Sequence, residues 1–291
     1  RFSERAQPML YNSAQEWRDA PHKRIVLFAM SGLGKTYVSE MLQQTGTWFH
    51  YSIDYRIGTR YMAEPIADNC KREAMKVPFL REMLLADAIH IAPNIHDHDL
   101  TAVAAYTGKP GNEAQGGLSF DAYMKRQKQF QAAETQALLD TSEFMERAED
   151  IYRYDNFVCD TGGSICEWVD AADPNDPILN ALAKNALLVW IKGSDAHSQS
   201  LVERFDRSPK PMCYDTEFTT DCWETYLSEN KILESEVNPN DFIRWMYARA
   251  MKHRQPRYEA MAKWGVTLDA NDVMKVRSAD EFCELIAAAL P

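Results

Sequence analysis

Residues 25–36 read Ile-Val-Leu-Phe-Ala-Met-Ser-Gly-Leu-Gly-Lys-Thr. An apolar run of strand length stops at a glycine-bearing loop, and the loop stops at Lys35-Thr36. Val38, Met41 and Leu42 then share one helical face, and Gly46 is placed to stop the helix. In such a strand–loop–helix turn, backbone N–H groups of the loop and of the helix N-terminus point at anionic oxygens. Met30, Ser31, Gly32, Leu33, Gly34, Lys35, Thr36 and Tyr37 are therefore read as the nucleotide-binding segment. Lys35 reaches the β- and γ-phosphates, and the Thr36 hydroxyl sits on Mg²⁺. One position departs from the pattern. Gly is wanted first, to ease the turn, and Ala29 stands there.

The rest of the chain bounds what surrounds that turn. A length of 291 residues suffices for a sizeable core, and 45% hydrophobic with 26% charged residues is ordinary for a globular protein. A net charge of −11 argues against a nucleic-acid partner, since phosphate backbones want Lys/Arg stripes. The six cysteines form no CxxC pair, so reduced thiols are expected rather than disulfides or zinc. No run has the length of a membrane span or the make-up of a signal peptide, so a cytoplasmic protein with no membrane partner is expected.

Further elements follow along the chain. A short helix is expected at 14–19, and a second strand over Trp48–Ile53 that ends at Asp54. Asn156–Asp160 and Ala186–Ile191 are uninterrupted apolar runs, the mark of parallel strands covered on both faces. Asp195 is expected to cap a helix over 196–205, Val266–Leu268 to form a last strand, and 280–290 to close as an amphipathic helix. These predict an α/β fold, a three-layer P-loop architecture with a parallel sheet and helices on both faces. It is read as a single domain with core segments about 23–60, 151–212 and 254–291. Helical insertions fill about 61–150 and 213–253.

Three features narrow the chemistry. Asp160 ends an apolar strand and precedes Thr161-Gly162-Gly163-Ser164. A carboxylate there holds Mg²⁺ through water, and Gly162 and Gly163 let a second ligand approach the backbone. Asp54, with Arg56 and Arg60 after it, falls where strand ends meet a ligand crevice. Asp54 is read as orienting or deprotonating an acceptor hydroxyl, and the arginines as neutralising an acidic group. Arg204-Phe205-Asp206-Arg207-Ser208-Pro209-Lys210-Pro211 reads as a stiff basic loop, with Arg207 and Lys210 closing on the transferring phosphoryl group. His96-Asp97-His98-Asp99 is read as a loop in which Asp99 caps the next helix rather than as a metal cluster.

In order along the chain, these segments resemble the shikimate kinase branch of the small-molecule P-loop kinases. Ser52-Ile53-Asp54 looks like that family's Asp-x-Asp segment, with Ser52 in place of the acid that assists magnesium. Gly162-Gly163-Ser164 looks like its glycine turn, Lys210-Pro211-Met212 like its lid, and Arg254-Gln255-Pro256-Arg257-Tyr258 like its late Arg-x-Pro-x-Tyr segment. The resemblance implies that Arg254 binds an acceptor carboxylate and that Ser52 lies by the metal. The two insertions have no counterpart in a minimal shikimate kinase, so the resemblance does not extend to the substrate.

The sequence thus predicts an enzyme, an ATP- and Mg²⁺-dependent kinase for a small, hydroxyl-bearing, anionic acceptor. Lys35, Asp54, Asp160, Arg207 and Lys210 are its catalytic residues. Asp54, Arg56, Arg60, Gly162, Gly163 and Arg254 are its substrate residues, and Thr36, Asp160 and Ser52 its metal residues. The alternatives are a P-loop ATPase that works as a hydrolase or switch with a protein partner, and a nucleotide-binding module without turnover.

Overall fold

The computed structural model describes residues 9–96 and 99–291. In chain order the elements are α1 (Ala14–Asp19), β1 (Arg24–Phe28), α2 (Lys35–Gln43), β2 (Trp48–Ser52), α3 (Ile53–Arg56), a π-helical turn (Ile57–Tyr61), α4 (Ala63–Ala74), α5 (Pro78–Leu85) and α6 (Thr101–Thr107). There follow α7 (Phe120–Leu139), α8 (Thr141–Asp150), β3 (Asn156–Asp160), α9 (Ile165–Trp168), α10 (Pro177–Asn185), β4 (Leu187–Lys192) and α11 (Asp195–Arg207). The chain closes with α12 (Thr216–Asn230), α13 (Pro239–Met261), β5 (Val266–Asp269), α14 (Ala270–Val273) and α15 (Ala279–Ala289).

Two compact units divide this chain. The first holds Arg1–Ile53, Thr135–Ser208 and Met246–Pro291; the second holds Asp54–Glu134 and Pro209–Trp245.

The first unit contains one five-stranded sheet in the order β2-β3-β1-β4-β5, with every pairing parallel. Position in the sheet decides the pattern of each strand. In β1, Ile25, Val26, Leu27 and Phe28 are all fully buried, and β3 and β4 are apolar throughout their centres. Edge strand β5 alternates instead: Val266 and Leu268 are buried while Thr267 and Asp269 face water. Helix α2 packs on β2 and β3 and meets α15, which covers β5 and meets α1. Helix α8 also packs on β2 and β3 and meets α10, which lies on β4. The result is a three-layer α/β fold. Its central strand, β1, is the one that leads into the glycine-bearing loop, so the loop sits where the strand order reverses, the usual ligand crevice of such sheets.

The second unit is helical apart from isolated bridges. Buried Gln127 ties its segments together, donating to Met212 O at 3.1 Å and accepting from Tyr214 N at 3.1 Å. Phe120 stacks on Trp223, which meets Phe242 edge-on.

Several local expectations are corrected. Strand β2 ends at Ser52, because Ile53 already begins α3, so Asp54 lies in the first turn of a short helix and not on a strand end. Ser194, not Asp195, caps α11. Its hydroxyl accepts from His197 N, and Ser194 N donates back to His197 Nδ1 at 3.0 Å. Helix α11 runs to Arg207, so Arg204–Arg207 are its last turn and the basic loop begins only at Ser208. The residue before a proline is biased toward extended backbone, which places the break there. Helix α13 continues through Pro256 to Met261. Of His96–Asp99, Asp97 and His98 lie outside the described residues. Asp99 Oδ1 accepts from Thr101 N at 2.8 Å, and Leu100 stands at the cap position of α6.

Candidate functional site

The loop Ala29–Gly34 leaves the buried end of β1 and turns into α2, whose first residue is Lys35. The turn needs left-handed backbone at two positions, Gly32 (φ 82°) and Gly34 (φ 102°), where any side chain is strained. Ala29 does not need it. Among the described residues the only non-glycine residues with positive φ are Asp87, Arg153 and Lys231. Alanine therefore fits the first position of the loop without cost. Leu33 is buried, and Gly193, just past β4, leaves it room: a Cβ on Gly193 would stand 2.9 Å from Leu33 Cδ1.

Lys35 is only 7% exposed. Its ammonium does not face bulk solvent; Nζ donates to Ala29 O at 3.1 Å and to Met30 O at 3.5 Å. Next to it, the Thr36 hydroxyl is exposed and donates to Asp160 Oδ2 at 3.4 Å. Asp160 ends β3, and the β2–β3 register sets Ser52 directly beside it. Lys35, Thr36, Asp160 and Ser52 are thus brought together at the carboxyl ends of three neighbouring strands.

The glycine turn joins this group. A Cβ on Gly163 would lie 3.6 Å from Ser31 N and 3.9 Å from Ala29 O, so the turn lies flat against the phosphate loop. Thr161 anchors it, with both N–H and hydroxyl donating to Leu27 O. On the far side of the loop, a Cβ on Gly34 would meet Met274 Sδ at 3.4 Å, and Tyr37 Oη donates to Val276 O at 2.8 Å.

Arg204, one of the three positive charges of the expected basic loop, lies in the last turn of α11. A Cβ on Gly32 would come within 2.9 Å of its Nη2 and 3.4 Å of its Nη1. An exposed guanidinium therefore lies on the loop that the sequence marks for phosphates. Arg207, one turn on, donates from Nε back to Glu203 O at 3.2 Å.

Arg254 is nearly fully buried, and the carboxylate it meets here belongs to the protein. Its Nε donates to Glu167 Oε1 at 2.6 Å, and its Nη1 to Gly163 O at 3.2 Å. His253 Nε2 lies 3.3 Å from the other Glu167 oxygen. One turn along α13, the Tyr258 ring lies near-parallel to those of Phe28 and Trp190, with centroids 6.2 and 6.4 Å away, and its hydroxyl reaches both Ala29 O (3.2 Å) and Gly163 O. Burial, and then nearby Cys166, hold the Tyr258 phenol well above its ordinary pKa, so it keeps its proton. Glu167 carried no signal in the sequence, being one acid among the apolar residues of a four-residue helix. Tyr258 was visible only as the end of a short motif.

Asp54, Arg56, Arg60 and Lys210 belong to the second unit. Arg56 lies 5.5 Å from the ring centroid of Tyr61, Arg60 is exposed in the π-helical turn, and Lys210 is exposed in the segment between α11 and α12. Among the described residues no three His, Cys, Asp or Glu side chains gather as a metal cage. The hydroxyl–carboxylate pair Thr36–Asp160 is a hard-oxygen set of the kind that holds Mg²⁺ jointly with substrate phosphates, so these residues fit that ion. No helix among the described residues is long and apolar enough to cross a membrane.

Fold and site together define a three-layer α/β protein with a phosphate-loop turn on its central strand. No family model matches the chain, and no curated protein sequence matches it. Among solved structures it is similar to a shikimate kinase from Bacteroides thetaiotaomicron, at 13% identity, over 91% of this chain and 95% of that one, with a TM-score of 0.41. At that distance the likeness says nothing about substrate or chemistry.

Proposed function

We propose that the protein is an ATP- and Mg²⁺-dependent kinase that phosphorylates a small hydroxyl-bearing molecule. The observation that carries this reading is the placing of Lys35 and Thr36 at the N-terminus of α2, with the Thr36 hydroxyl 3.4 Å from Asp160 at the end of β3. Phosphoryl transfer asks a protein mainly for positioning and charge stabilisation. The loop amides and the start of α2 receive the phosphates. Lys35 leaves the carbonyls of Ala29 and Met30 to meet the β- and γ-oxygens. Arg204, lying on Gly32, adds positive charge from the other side. Thr36 and Asp160 hold Mg²⁺, which neutralises charge on the phosphates when bound. Asp54, Arg56 and Arg60 as acceptor residues, and Arg207 and Lys210 as lid residues, rest on the sequence reading. The acceptor charge that Arg254 was expected to meet is supplied by Glu167, so an acidic group on the acceptor is assigned to Arg56 and Arg60 alone.

The test is ADP release from ATP and Mg²⁺ with a panel of hydroxyl-bearing metabolites, wild type against Lys35→Ala. Losing one charged donor to the transition state lowers the rate on the order of 10²–10³. A variant with undiminished turnover overturns the site. Release of inorganic phosphate with no phosphorylated acceptor makes the protein a hydrolase instead.

A further inference from the structure

Tyr258 Oη carries one proton and faces two carbonyl oxygens, Ala29 O and Gly163 O. Each carbonyl has a second donor. Lys35 Nζ donates to Ala29 O at 3.1 Å, and Arg254 Nη1 donates to Gly163 O at 3.2 Å. Arg254 is held in turn by the buried Glu167 carboxylate, so its hydrogen bond to Gly163 O is fixed. The Tyr258 ring is fully buried and near-parallel to the rings of Phe28 and Trp190, and rotation about its C–O bond moves the hydroxyl proton between the two carbonyls.

We propose that Tyr258 is a positioning residue for Lys35: its hydroxyl proton turns from Gly163 O to Ala29 O as the Lys35 ammonium leaves for a nucleotide phosphate. The inference rests on the nucleotide-binding reading of the loop. With Lys35 on Ala29 O, the Tyr258 proton serves Gly163 O. With Lys35 gone, it serves Ala29 O, and Arg254 keeps Gly163 O satisfied. Ala29 O and Gly163 O are each paired in both arrangements, and only the long bond to Met30 O is given up. Ala29 is fully buried, and an unpaired acceptor there is costly. Tyr258 therefore lowers the cost of releasing Lys35 and raises nucleotide affinity without touching the nucleotide.

Tyr258→Phe removes the hydroxyl and keeps the stacked ring. In the nucleotide-free protein both carbonyls still have a donor, so the fold is retained. Calorimetric titration with ATP and Mg²⁺ of the wild type, Tyr258→Phe, Lys35→Met and the double variant closes a cycle. Where Lys35 is present, Tyr258→Phe weakens ATP binding about tenfold, the cost of stranding one buried acceptor. In the Lys35→Met background no ammonium departs, and the same change is without effect. Equal weakening in both backgrounds means a merely structural role and overturns the proposal, as does no weakening in either. A second readout needs no nucleotide: the rate at which acetic anhydride acylates Lys35 Nζ, followed by peptide mass spectrometry. In Tyr258→Phe the ammonium is, among the described residues, the sole side-chain donor left on Ala29 O, and acylation slows several-fold. An unchanged or faster rate overturns the proposal. Wild-type protein that fails to bind ATP sinks the nucleotide reading, and the acylation rate then decides the inference by itself.

Discussion

Glu167→Gln is the sharpest probe of the interior. The Glu167 side chain is fully buried and the Arg254 side chain is 2% exposed, with 2.6 Å between Oε1 and Nε. Removing one partner of such a pair strands the other charge out of water, at about 3–5 kcal/mol. Glutamine keeps a carbonyl oxygen for Arg254 Nε, which restores about 1 kcal/mol. The expected loss is therefore about 2–4 kcal/mol, large against a total stability of about 5–15 kcal/mol. Equilibrium urea unfolding, read by tryptophan fluorescence, measures it. Trp17, Trp48, Trp168, Trp190 and Trp264 all lie in the first unit with the pair, so the signal reports mainly on that unit. Arg254→Met and the double variant complete the comparison. Because the penalty comes from the unpaired charge, the double variant should be more stable than the sum of the two single losses allows. A Glu167→Gln variant within about 0.5 kcal/mol of wild type, or strictly additive losses, would refute a buried, coupled ion pair.

Three other outcomes are expected. A Cβ at Gly265 would stand 1.9 Å from Leu188 O, so Gly265→Ala should destabilise the first unit by about 3 kcal/mol or more, seen as a lower urea midpoint; wild-type stability would contradict that close approach. Asp160→Asn should raise the Mg²⁺ concentration needed for half-maximal turnover roughly 10–100-fold, and an unchanged Mg²⁺ titration would remove Asp160 from the metal site. Burial pushes the Cys166 thiol up to about 12 and raises Cys159 as well, so iodoacetamide should modify exposed Cys70 in the native protein and reach the other two only on unfolding.

What the sequence made legible was what is local. The apolar run Ile25–Phe28, the left-handed glycines and Lys35-Thr36 are contiguous, so the strand, loop and helix can be read from one window. The same holds for β3, β4 and α15, each a single apolar stretch or stripe. Asp54 was misplaced by a boundary, because nothing in Ser52-Ile53-Asp54 marks where extended backbone gives way to helix. The basic loop was drawn too long because Arg204–Arg207 suit a helix as well as a loop, and only the Ser208–Pro209 step stops α11. Pro256 disguised the continuation of α13, since a proline in a helix interior removes a main-chain hydrogen bond and normally breaks the helix. The Glu167–Arg254 pair and the Tyr258 hydroxyl were illegible for another reason. Their meaning comes from partners brought together by the sheet, and no spacing along the chain encodes that.

The arrangement of the sheet also governs how this chain must be made. Arg24 of β1 lies opposite Phe157 of β3, and Ile25 opposite Leu187 of β4, so the central strand has no neighbour until much of the polypeptide has been synthesised. Ribosomes emit roughly 5–20 residues each second, which leaves Ile25–Phe28 as an unpaired, aggregation-prone ribbon for many seconds. Closing such distant pairings is slow. A nascent chain of this topology is therefore a natural client for chaperones. Expression at low temperature, or with added holdase, should improve its recovery more than it would for a helical bundle of equal length.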